Sequence, residues 1–171
     1  MKKNLGYVLT VIGSTVITSI IIYFSVVVIS SRAQKTYTQI MFDISDPFTE
    51  DKVRVYLKEL NVKYPEVALA QMKLESANGT SKMFRENNNL FGMKLPKFRP
   101  TTALGEKNNH SYYSHWRQSV IDYAMWQAFV MDPENLASEQ DWVYYLDKIY
   151  SEDGSYGKKI MNIRSSIKSE E

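Results

Sequence analysis

Between Asn4 and Ser31 the chain carries no charged side chain, and Tyr7 to Ile29 is dominated by Val, Ile, Leu, Tyr and Phe. At about 1.5 Å of rise per residue, roughly 20 apolar residues cross a hydrocarbon core of about 30 Å. A β-branched run of this kind would favour a strand in water. In lipid a lone segment must satisfy its own backbone, and only a helix does that. The run therefore predicts one N-terminal transmembrane helix, and hence contact with a lipid bilayer through residues 7–30. The rival is a cleaved signal peptide with Lys2 and Lys3 before the apolar region and Ser31-Arg32-Ala33 at the cut. Its apolar region would normally be only about 7–15 residues. Lys2 and Lys3 oppose Arg32 and Lys35 across the span, so the positive-inside count is nearly balanced. The terminal amine tips the orientation toward an inside N-terminus, with the domain on the far side of the membrane.

Removing this segment from the 171 residues leaves length for one domain. Residues 1–31 read as the anchor, 32–47 as a polar stalk ending at Asp46-Pro47, and 48–171 as the domain. Of the 21 basic residues, Lys2, Lys3, Arg32 and Lys35 precede residue 36, which leaves 17 against all 19 acidic ones, a net charge of −2. A mildly acidic domain lacks the dense basic face that nucleic-acid binding needs. With no cysteine there is neither a disulfide framework nor a thiol nucleophile.

Beyond the stalk the periodicity is helical. Thr49 followed by Glu50 and Asp51 starts a helix with Val53, Leu57 and Leu60 on one face. Pro65 opens a second, with Val67, Ala68, Leu69, Met72 and Leu74 apolar, running to about Glu75 and the turn Ser76-Ala77-Asn78-Gly79. Residues 87–113 are broken by Asn87-Asn88-Asn89, Gly92, Pro96, Pro100, Gly105 and Asn108-Asn109, and predict a short hairpin or flap. A third helix carries Trp116, Val120, Tyr123 and Gln127, capped by Ser114 and stopped at Asp132-Pro133. Ser138 and Asp141 form a capping box for a helix with Trp142, Leu146 and Ile149. Tyr156, Ile160, Ile163 and Ile167 give the last helix.

No phosphate-binding glycine loop, dinucleotide fingerprint or nucleophile elbow is present, so no cofactor is expected. His110 and His115 have no acid partner at metal-ligand spacing and read as solvated loop histidines, so no metal is expected either. One carboxylate stands apart. Glu75 ends an apolar helix, where the negative end of the macrodipole and an apolar surround both favour its protonated form. A general acid needs that form near neutral pH.

The context of Glu75 is more specific. Ala70-Gln71-Met72-Lys73-Leu74-Glu75-Ser76, then Gly79-Thr80-Ser81, then Asn88-Asn89-Leu90-Phe91-Gly92-Met93-Lys94 resembles the bacterial glucosaminidase domain of glycoside hydrolase family 73. Tyr113, Trp116, Ser119, Asp122 and Tyr123 continue the same pattern, which spans roughly residues 50–165. The resemblance implies a mainly α, lysozyme-like domain with a small β-hairpin lobe over a glycan cleft. The implied function is hydrolysis of β-1,4 bonds in peptidoglycan glycan strands, an endo-β-N-acetylglucosaminidase with Glu75 as general acid. Asn89, Leu90, Phe91 and Gly92 match the segment at the cleft floor, and Trp116 joins them as a substrate-binding candidate. Tyr113 matches a tyrosine near the catalytic centre.

Asp122 is expected to hydrogen-bond backbone, and Tyr123 to pack. Between Met93 and Trp116 the only acid is Glu106, the candidate second catalytic group. Otherwise the substrate's N-acetyl group, or Tyr113 holding a water, does that work. The flap is otherwise basic, and Lys94, Lys97, Arg99, Lys107 and Arg117 suit the carboxylates of peptide stems. A lytic transglycosylase and an inactive glycan-binding or assembly protein are the alternative functions.

Overall fold

The computed structural model describes residues 22, 23, 25–27, 46–131, 136–150 and 154–167. The chain divides into two compact units, Met1–Asp46 and Pro47–Glu171. Of the expected anchor over residues 7–30, only 22, 23 and 25–27 are described. They are helical, and the rest of that expectation lies outside the described residues. Among the described residues no helix is long and apolar enough to cross a membrane.

Among its described residues the second unit is mainly helical with one small antiparallel sheet. Its order is α1 (Glu50–Glu59), α2 (Pro65–Ser76), α3 (Lys82–Asn87), β1 (Gly105–Lys107), β2 (His110–Tyr112), α4 (Trp116–Val130), α5 (Glu139–Tyr150) and α6 (Tyr156–Ser166). Thr49 caps α1, its hydroxyl accepting from the Lys52 N–H, with Glu50 and Asp51 on the positive end of the dipole. Helix α2 starts on Pro65 and is buried nearly all round from Val67 to Met72, which makes it the central helix, packed against α1 and α6. The Ser138–Asp141 capping box forms as expected, with both reciprocal bonds made.

Three details differ from the sequence reading, and a fourth falls outside the described residues. The short helix α3 was not foreseen; it is nucleated by Ser81, whose hydroxyl accepts from the Phe84 N–H. The cap of α4 is His115, whose ring accepts from the Arg117 N–H, and not Ser114, which instead bonds the Gln118 side chain. Helix α4 ends at Val130, and the expected stop at Asp132-Pro133 lies outside the described residues. In α5, Trp142 and Leu146 are buried but Ile149 is 48% exposed, because it falls off the face that meets the core.

The hairpin pairs Gly105 with Tyr112, Glu106 with Ser111 and Lys107 with His110. Asn108 and Asn109 both take positive φ, 56° and 60°, the backbone of a two-residue turn matched to strand twist. The three asparagines before the loop tie it down. The Asn87 amide donates to Lys107 O at 2.8 Å, Asn88 to Tyr113 O at 3.0 Å, and Asn89 to both Met93 O and Ser111 O at 2.9 Å. The Asn89 carbonyl oxygen accepts from Phe91 and Met93 N–H. A loop that cannot pair its backbone with itself has those groups satisfied by side chains instead.

Candidate active site

Glu75 stands in the last turn of α2, and its surroundings explain the short residues that follow it. The Ser76 hydroxyl donates to Met72 O at 2.7 Å and accepts from the Gly79 N–H at 2.8 Å, which locks the turn. At Gly79 (φ +77°) a Cβ would stand 2.3 Å from the Phe48 ring, so only glycine fits there. Gly92 (φ +65°) lies against the carboxyl group itself, and a Cβ there would be 2.9 Å from Glu75 Oε2. The glycine motif thus brings bare backbone up to the acid.

The other carboxyl oxygen is held from α6. The Tyr156 hydroxyl donates to Glu75 Oε1 at 2.7 Å. Burial raises the Glu75 pKa above its ordinary value; the Tyr156 hydrogen bond and the nearby His110 pull it partly back. Burial, then the Glu75 charge, hold the Tyr156 phenol far from ionising, so it remains a donor. Tyr150 stacks on Tyr156 with ring centroids 5.2 Å apart. The result is a half-buried carboxyl group with one oxygen bound and the other over open backbone, kept inclined to protonate.

The remaining expected residues divide by exposure. Asn89, Leu90, Phe91 and Trp116 are at most 3% exposed. Phe91 stacks on Tyr123 at 4.2 Å, and Trp116 packs with Phe48 and Tyr56 in the core. All four are buried, and Leu90, Phe91 and Trp116 pack into the core. Of that group only Gly92 reaches the surface. Tyr113 is also buried, and its hydroxyl donates to Asp122 Oδ2 at 2.7 Å. Burial, reinforced by the Asp122 charge, raises its pKa strongly.

Asp122 bonds Tyr113 and Arg99, where the sequence suggested backbone partners. Arg99 donates at 2.6 and 3.3 Å to its two oxygens. The Arg99 side chain is 6% exposed and that of Asp122 is fully buried. Arg99 is therefore not available to hold substrate carboxylates. Lys107 pairs with Glu86, and Arg117 lies over the Tyr56 and Trp116 rings, while Lys94 and Lys97 are exposed. Glu106 is exposed on β1. The His110 ring Nδ1 sits 2.9 Å from Asn108 O. Among the described residues no group of three metal-ligating side chains occurs.

Sequence reasoning missed Tyr156. Its spacing with Ile160 reads as a core stripe, and only its position at the start of α6 set its hydroxyl apart.

The profile of a family described as glucosaminidase, mannosyl-glycoprotein endo-beta-N-acetylglucosaminidase, matches residues 51–169. Protein bax of Escherichia coli K12 is 51% identical over 49 residues, 29% of this chain and 18% of that protein. The match thus spans under a fifth of that relative's length. The crystal structure of the catalytic domain of the autolysin Auto from Listeria monocytogenes aligns over 78% of this chain and 93% of its own, at 21% identity and a TM-score of 0.47.

Proposed function

Because this chain belongs to the glucosaminidase family and is a glycoside hydrolase, we propose that it hydrolyses the β-1,4 bonds of peptidoglycan glycan strands as an endo-β-N-acetylglucosaminidase. The observation that carries this reading is the Glu75 carboxyl group, half-buried over Gly92 with Tyr156 on Oε1 and a pKa raised by burial. Protonated Glu75 gives its proton from Oε2 to the bridging oxygen as the bond to C1 breaks, so the leaving sugar departs as an alcohol. Water then adds at C1, and the proton it loses restores the acid. Glu106, exposed on the hairpin, is the candidate assistant for that water. The alternative is the substrate's N-acetyl group, favoured by the engagement of Tyr113 and Asp122 with each other. Exposed Lys94 and Lys97 suit the carboxylates of peptide stems.

We also propose that residues 7–30 span the bilayer, with 1–31 as anchor, 32–47 as stalk and 48–171 on the wall side. Tethering would raise the effective concentration of enzyme at the membrane-proximal wall.

The test is digestion of purified wall by the full chain, with product ends identified by mass spectrometry. Reducing N-acetylglucosamine ends are expected. Anhydro-muramic ends would mean a lytic transglycosylase, and binding without cleavage an inactive glycan-binding protein. Glu75→Gln should abolish release by at least about 10²-fold. Glu106→Gln losing as much would assign Glu106 as the second group; a mild loss would assign the N-acetyl group.

A further inference from the structure

Helices α5 and α6 come together at Gly157. A Cβ there would stand 3.2 Å from Val143 Cγ1 and 3.3 Å from Asp147 Cβ, so the missing side chain lets the two helices close up. The Gly157 N–H, an orphan donor in the first turn of α6, donates to Asp147 Oδ1 at 2.7 Å. Beside this contact the helices leave a groove of about 270 Å³. Apolar atoms make most of its lining, among them those of Val143, Met161 and the Tyr144 ring, which is 65% exposed. Lys148 Nζ stands 5.0 Å from the centroid of that ring and holds it in place. Two charges stand at the groove. Asp147 uses Oδ1 on Gly157, and its Oδ2 has no partner among the described residues. Lys158, the residue after Gly157, is exposed and forms no ion pair among the described residues.

Opposite charges that share an apolar groove and do not pair with each other suit a ligand carrying both signs. A neutral sugar needs neither charge, and Asp147 repels a phosphate. The volume is just below the roughly 300 Å³ of the smallest ligand sites, room for a short peptide end. We infer that the groove between α5 and α6 binds the peptide stem of uncross-linked wall, with Asp147 taking the free side-chain ammonium of the stem and Lys158 a carboxylate. The methyl and methylene groups of the stem then lie against Val143, Met161 and Tyr144. Cross-linking turns that amine into an amide and removes the positive charge, so the groove discriminates against cross-linked stems. Gly157 directly follows Tyr156, the donor to Glu75 Oε1. Successive residues of a helix point about 100° apart, which puts the groove round the flank of α6 from the acid and outside the site described above. A stem held there keeps wall beside the acid without touching the reacting bond.

The inference rests on the proposed action on peptidoglycan, but its test needs no glycosidic bond. The probe is the synthetic stem N-acetyl-L-alanyl-γ-D-glutamyl-L-lysine, titrated calorimetrically into the full chain in detergent. Saturable binding is expected. Asp147→Asn keeps the acceptor for the Gly157 N–H and removes the charge, and Lys158→Gln keeps most of the length of its side chain. Each should weaken binding by roughly threefold to tenfold. Acetylating the side-chain amine of the peptide should weaken binding to the parent by as much as Asp147→Asn does, and should weaken binding to Asp147→Asn no further. Amidating the terminal carboxyl group should pair with Lys158→Gln in the same way. These changes to the peptide need no variant, so the inference stays open to refutation even where a variant does not fold. Absence of saturable binding, losses that simply add in both crossed pairs, or displacement of the peptide by an N-acetylglucosamine oligomer overturns it; the last would mean a sugar site. Failure of the peptide to bind alongside inactive Glu75→Gln defeats this inference alone, whereas active Glu75→Gln defeats the reading beneath it.

Discussion

Gly92→Ala separates the structural from the chemical use of one glycine. The backbone there has φ +65°, a conformation that costs an L-residue roughly 1–2 kcal/mol. On the unit Pro47–Glu171 that lowers Tm by about 3–10 °C. The new methyl would also stand 2.9 Å from Glu75 Oε2. The carboxyl group is the far end of a flexible side chain, so it yields by about 0.5 Å at small steric cost. Tyr156 holds the other oxygen, so the group pivots away from the position that donates the proton. Since about 1 Å of misplacement costs up to roughly a hundredfold, kcat on wall should fall by about tenfold with KM little changed. Gly154→Ala is the control. It has φ +68° and only Asp147 Oδ2, at 3.8 Å, nearby, so it bears the same backbone strain in open space. The assay is thermal unfolding alongside turnover of soluble wall fragments. Equal losses of kcat in the two variants, or none in Gly92→Ala, would refute the claim that the glycine makes room for the acid.

Glu75→Gln should melt higher than the parent at neutral pH. The raised pKa means that folding favours the protonated acid, so its contribution is complete below the ordinary carboxyl value and lost as pH rises through the raised one. The advantage should vanish below about pH 4, and an advantage that persists there would contradict the burial argument. Arg99→Met strands a fully buried carboxylate on α4 and should cost about 3–5 kcal/mol in urea unfolding. Asp122→Asn on that background should recover part of the loss. The full chain should stay in the membrane fraction through carbonate washing, and release into the supernatant would end the proposal for residues 7–30.

Much of the helical frame was legible because it is written locally. Thr49, Pro65, Ser138 and the spacing of Val53 with Leu57 act within one or two turns, and a local signal survives without knowledge of the rest of the chain. Glu75 was legible for another reason: the small residues after it and the asparagine-glycine loop form a pattern that few other purposes need. The pattern does not show which of its residues lie open: Leu90, Phe91 and Trp116 are buried. A motif shows that residues belong to a site without saying whether they face the ligand or hold up the residues that do.

Sequence by itself determined where the central helix ends and which carboxyl group ends it. Tertiary structure alone decided that Tyr156, 81 residues along the chain, donates to that carboxyl group, and that Arg99 is consumed by Asp122. A tyrosine on an apolar stripe satisfies helical periodicity whether its hydroxyl points to solvent, to backbone or to an acid. An arginine in a flap reads as solvated until a buried partner appears. Caps and periods depend on neighbours a few residues away, whereas the pairing of polar atoms across a core depends on how helices pack, and no local spacing encodes that.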